Sequence, residues 1–113
     1  MSSDPQESAI RAAMADMVNV VTGLEQSGKP DMSRALKNMV DRILACELLP
    51  STRQDIIENL VFIGHQAQMP PEKRKRGVMK AVLFYVKHNM QTVEPLNDAW
   101  QTFGRTIENL LHL

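Results

Sequence analysis

The sequence predicts an all-α fold, an antiparallel bundle of about five helices, on three observations. Its apolar residues are mainly Leu, Ile, Val, Ala and eight Met, with few aromatics, a palette that suits helices better than sheets. They recur at alternating spacings of four and three, which keeps them on one stripe of a helix with about 3.6 residues per turn. Prolines and one Ser-Gly-Lys-Pro stop cut the stripes into separate segments. With 113 residues, 43% of them hydrophobic, the chain fits a single domain over 1–113 that buries a core of its own.

The first helix is expected over about 5–26. Asp4 is its N-cap, Pro5 its first residue and Glu7 able to close a capping box, with Ile10, Met14, Met17, Val21 and Leu24 along the stripe. Ser27-Gly28-Lys29-Pro30 stops it. A second helix, about 30–48, repeats the spacing in Met32, Leu36, Met39, Ile43 and Cys46, widened by Val40 and Leu44. Ser51-Thr52-Arg53-Gln54 has the Ser-x-x-Gln form of a capping box and opens a third, about 51–69, which Pro70-Pro71 closes. A fourth, about 71–91, starts at Pro71 and carries Val78, Met79, Val82, Tyr85 and Val86 on its apolar face. Gly77 is its weak point, since glycine costs about 1 kcal/mol against alanine inside a helix, so the helix proper can instead begin near Val78. The last, about 95–112, has the cleanest stripe: Leu96, Trp100, Phe103, Ile107 and Leu110.

Lysines plus arginines equal aspartates plus glutamates at 13 each, so no whole-protein field draws in nucleic acid or an anionic surface. The lone Cys46 makes no internal disulfide, Met1–Glu7 lack the basic-then-apolar pattern of a signal peptide, and no apolar run approaches the ~18 residues of a membrane span. These features predict a cytoplasmic protein without membrane contact. His65, His88 and His112 are isolated from one another and from Cys46 at metal-ligand spacing, and no phosphate-cradling glycine loop or nucleophile elbow appears. The expectation is therefore no enzyme, no cofactor, no metal and no small-molecule substrate.

Two surfaces stand out. Phe62 projects almost opposite the third helix's core stripe of Ile56, Ile57, Leu60, Val61, Ile63 and Ala67, beside Glu58 and His65. It is either covered by a neighbouring helix or serves, with those two residues, as an anchor for a partner. The seam holding Trp100 and Phe103 is likewise a core face or a pairing face across a two-fold axis. The second surface is basic. Net charge is −3 over 1–70, +5 over 71–90 and −2 over 91–113. If the fourth helix starts at Pro71, Lys73, Arg76, Lys80 and Lys87 fall within about 60° of one another, with Arg74 nearby. Such a ridge is a solvated face, a dock for an acidic protein, or a contact for several phosphates.

The run Pro70-Pro71-Glu72-Lys73-Arg74-Lys75-Arg76-Gly77-Val78-Met79-Lys80-Ala81, followed by Leu96, Trp100, Phe103-Gly104 and Ile107, resembles a helical segment at the C-terminal end of many uncharacterised bacterial proteins, some of them associated with defence or signalling modules. The resemblance covers roughly 51–113. It implies a bacterial source and an accessory or adaptor role, and carries no catalytic residues. The pattern usually has prolines where this chain has Arg76 and Arg105, so the fourth and fifth helices are expected to run on where the pattern breaks. The leading functional expectation is a non-enzymatic module acting through protein association, as a homo-oligomer or a regulatory partner. The alternative is a nucleic-acid-binding accessory subunit using the ridge over 73–87.

Overall fold

Proline, whose φ is preset for a helix and whose missing N–H is no loss in the first turn, stands at the head of the first three helices. These are α1 (Pro5–Gln26), α2 (Pro30–Ala45) and α3 (Pro50–Gln68). The computed structural model describes residues 5–113, so the expected cap at Asp4 lies outside the described residues. Next come a single 3₁₀ turn (Pro71–Lys73), α4 (Arg76–Gln91) and α5 (Glu94–Ala99), which runs through a π-helical turn (Trp100–Gly104) into α6 (Arg105–Leu110). The last three segments form one rod. The described residues thus make an all-α bundle of five rods without strands.

Several boundaries differ from the expected ones. α2 stops at Ala45, not Leu48, because Cys46 is extended and its N–H bonds back only to the Ile43 carbonyl. α3 opens at Pro50 with Leu49 as its N-cap, so Ser51 lies inside the first turn and the predicted capping box does not form. The fourth helix begins at Arg76 rather than Pro71, with extended backbone at Arg74 between it and the 3₁₀ turn. In the last rod the Arg105 N–H donates to the Trp100 carbonyl, five residues back instead of four, so the rod continues through Arg105.

Two helix ends are closed in the same way. After α1, Lys29 N–H bonds to Leu24 O and Gly28 N–H to Glu25 O, with Gly28 at φ 75°. This is a Schellman turn, in which glycine takes the left-handed position at no steric cost. After α6, Leu113 N–H bonds to Glu108 O and His112 N–H to Asn109 O, but here His112 holds the left-handed position at φ 57°.

α3 is the central helix, packed by α1, α2 and α4, while the last rod lies against α2 and α4. That placement explains why α3 buries a wide arc of residues, from Ile56 and Ile57 to Gly64 and Ala67. Gly64 permits the closest approach of α1: a Cβ there would collide with Val20 Cγ1 and sit 3.3 Å from Leu36 Cδ1. The core runs continuously from Ala13 and Met17 through Leu36, Ile43, Ile57 and Leu60 to Met79, Leu96, Trp100 and Ile107.

Candidate functional site

The basic run is divided between structural and exposed roles. Arg74 is not free for a ligand: its Nε donates to Gln66 O and Met69 O at 3.1 Å, and its Nη2 to Ala67 O at 3.1 Å. These carbonyls lie at the C-terminal end of α3 and just past it, where Gln66 O also accepts the Met69 N–H at 3.0 Å, so the guanidinium acts as a C-cap. Lys29 Nζ also donates to Ala67 O, and the buried Gln66 side chain accepts the Lys75 N–H at 2.8 Å. Burial first, and the nearby Arg74 charge second, lower the Lys29 ammonium below its usual value.

The four-residue ridge is therefore shortened. Lys73 stands on the separate 3₁₀ turn, off the line of α4. Arg76, Lys80 and Lys87 remain in register, within about 40° at 100° per residue. Arg76 also donates to the His112 carbonyl. Among the described residues no carboxylate pairs with any of the three.

The other singled-out residues are placed as follows. Phe62 is half-buried and packs against the core. Glu58 and His65 are exposed. Trp100 is 1% exposed, so it is a core residue of this chain and presents no ring to a partner. Phe103 is half-buried beside Ala35 and Asn38 of α2. The seam of the last rod thus closes on the chain's own α2 and α4.

The outward aromatic lies instead on α4. Met79, Leu83, Val86 and Met90 are that helix's buried residues, a stripe rotated from the expected Val78, Met79, Val82, Tyr85 and Val86. The rotation turns Phe84 to the surface, where it is 70% exposed, with Val78 48% and Tyr85 41% exposed. Phe84 stacks on His88, their ring centroids 6.4 Å apart and planes 13° from parallel. Together with the exposed Gly77 and Ala81 they make an apolar face spanning about 120° of α4. The spacing of 79, 83, 86 and 90 was the available signal, because it leaves residue 84 on the far side.

This face has unlike edges. On one, Lys80, Phe84 and Lys87 border a surface hollow of about 210 Å³ shared with Glu108 and Leu113. On the other, the Tyr85 hydroxyl donates to Asp55 Oδ2 of α3 at 3.5 Å. A separate hollow of about 350 Å³ lies between α1 and α2, floored by Met14, Met17, Val18, Val21 and Val40. Among the described residues no three His, Cys, Asp or Glu side chains converge as a metal site would require, and no helix is long and apolar enough to cross a membrane. No family model, curated protein or solved structure matches the chain.

Proposed function

We propose that this chain is a non-enzymatic helical module of the cytoplasm that works by protein association, with the outward face of α4 as its contact surface. The observation that carries this reading is Phe84, a large ring left 70% exposed at the lysine-lined edge of a contiguous apolar strip. Soluble proteins seldom leave such a strip uncovered, and aromatic residues are enriched where partners meet. Covering the ring would return about 2 kcal/mol, by the usual transfer value for a Phe side chain. The accessory role implied by the resemblance over 51–113 agrees with this reading.

The test compares wild type with Phe84→Asp by light scattering and by co-purification. Wild type is expected above the 12.8 kDa of one chain, as a self-associated or hetero-complex, and Phe84→Asp at 12.8 kDa with the same melting temperature. A complex undiminished by Phe84→Asp would refute the reading, as would a wild-type monomer that co-purifies with nothing. Salt-sensitive oligonucleotide binding that disappears on reversing Lys80 and Lys87 would point to phosphate contact instead.

A further inference from the structure

We infer that the partner seated on the α4 face is a second copy of this chain, paired about a two-fold axis that runs parallel to α4. This rests on the α4 reading above and adds the occupant and its orientation. The basis is a charge pattern that complements itself in one arrangement alone.

The apolar strip of Val78, Ala81, Phe84, Tyr85 and His88 separates a basic row from an acidic one. Arg76, Lys80 and Lys87 line the edge toward the last rod, while Asp55 and Glu58 of α3 are exposed beyond the opposite edge. None of these charges has an opposite partner within 4.0 Å among the described residues. A two-fold axis parallel to the helix lays the basic edge of each copy against the acidic edge of the other. An axis perpendicular to α4, giving antiparallel helices, would set lysines against lysines and acids against acids. Like charges in juxtaposition are penalised, so the parallel arrangement is selected.

Height along the helix agrees as well. α3 and α4 run antiparallel, and two contacts give their register: Lys75 N–H to Gln66 Oε1 near the turn and Tyr85 OH to Asp55 Oδ2 further along. Each residue forward on α4 therefore matches about one residue back on α3. Asp55 lies level with residue 85 and Glu58 with about residue 82. A parallel two-fold axis preserves height, so Lys87 faces the partner's Asp55 and Lys80 the partner's Glu58. Each offset is two residues, about 3 Å at the α-helical rise, within reach of a lysine side chain. Gly77 and Ala81 have little bulk on the same face, which lets the two α4 backbones approach around the Phe84 rings.

The experiment is a charge-swap mixture read by sedimentation and native mass spectrometry. Wild type is expected to pair at on the order of tens of micromolar, as befits a modest interface. Lys80→Glu with Lys87→Glu, and separately Asp55→Lys with Glu58→Lys, should each weaken self-pairing about tenfold. Mixing the two variants should restore pairing as a heterodimer, since both interfaces regain opposite charges. Melting curves confirm that each variant is folded.

A mixture that stays monomeric overturns the inference. So does tighter pairing of Lys80→Glu/Lys87→Glu with wild type than of wild type with itself, the signature of lysine facing lysine. A wild type that is monomeric at all concentrations, yet loses a different bound protein on Phe84→Asp, overturns self-pairing and leaves the α4 reading intact. Indifference of every association to Phe84→Asp sinks both.

Discussion

Replacing Gly104 with alanine should destabilise this protein, although glycine-to-alanine inside a helix ordinarily gains about 1 kcal/mol. A Cβ on Gly104 would lie inside the van der Waals shell of Trp100 Cδ2 and Cε3 and 2.8 Å from Cε2. Favourable carbon contacts fall at about 3.5–4.0 Å, so the indole must move by roughly 1 Å. Trp100 is 1% exposed, part of the core, and a rigid ring rather than the free end of a flexible chain. Overpacking of this kind costs about 1–3 kcal/mol, which offsets the propensity gain and leaves a net loss of up to about 2 kcal/mol.

For a chain of this length each kcal/mol lost lowers the melting temperature by roughly 4 °C. Thermal and urea melts followed by circular dichroism would measure it. Trp100 is the sole tryptophan, so its emission reports the displacement directly. Gly77→Ala is the matched control, because nothing lies within 4 Å of a Cβ there, and it should gain up to about 1 kcal/mol. It is best measured in dilute solution, apart from any association through α4. Should Gly104→Ala prove as stable as wild type with unchanged emission, the packing of indole on glycine is not what shapes this turn.

Three further outcomes are expected. Arg74→Gln should lower stability by about 1–2 kcal/mol in urea unfolding, through loss of charge-assisted bonds to three α3 carbonyls, whereas Lys73→Gln on the exposed turn should stay within about 0.5 kcal/mol of wild type. His112→Gly should raise stability by up to about 1 kcal/mol by relieving a left-handed non-glycine residue; a loss in the same melts would show that the histidine side chain holds the end of the chain. Lys29 has a folded-state value below its usual 10.5, so between the two values the unfolded chain binds more protons and stability rises with pH. The difference between wild type and Lys29→Met across alkaline pH isolates this slope, and parallel curves would contradict it.

The helices were legible because local signals agreed. Proline at the head of a segment and four-three stripes placed α1 and α2, and the core of α3 from Ile56 to Ala67 is as its spacing predicts, although that helix opens at Pro50 and not at the expected Ser51 cap. What escaped local reading depended on long-range partners. The basic run gave no sign that Arg74 would fold back onto α3 while its neighbours faced solvent, because the carbonyls it caps are set by how two helices meet. The π turn was hidden for a related reason. Phe103 continues the heptad-like spacing on paper, but it lies within the π turn and is only half-buried. On α4, runs of adjacent apolar residues fit two faces equally well, and packing against α3 and the last rod chose the one that exposes Phe84. Trp100 was misplaced as a candidate contact for the opposite reason, a good core stripe being indistinguishable from a good interface stripe by spacing alone.

The five-residue bond from Arg105 to Trp100 means that the last rod holds one residue more than an ordinary helix would need to join the same two ends. Leu96 before the turn and Ile107 after it both reach the core despite that surplus. The turn is thus a slack point in the chain's length, where a single residue between Trp100 and Gly104 can be lost while both halves keep their bearing. Elsewhere in the rod the same change would swing every later side chain by about 100° and empty the core. Length variation in this protein is therefore tolerable at a specific turn of a buried helix as well as in its loops.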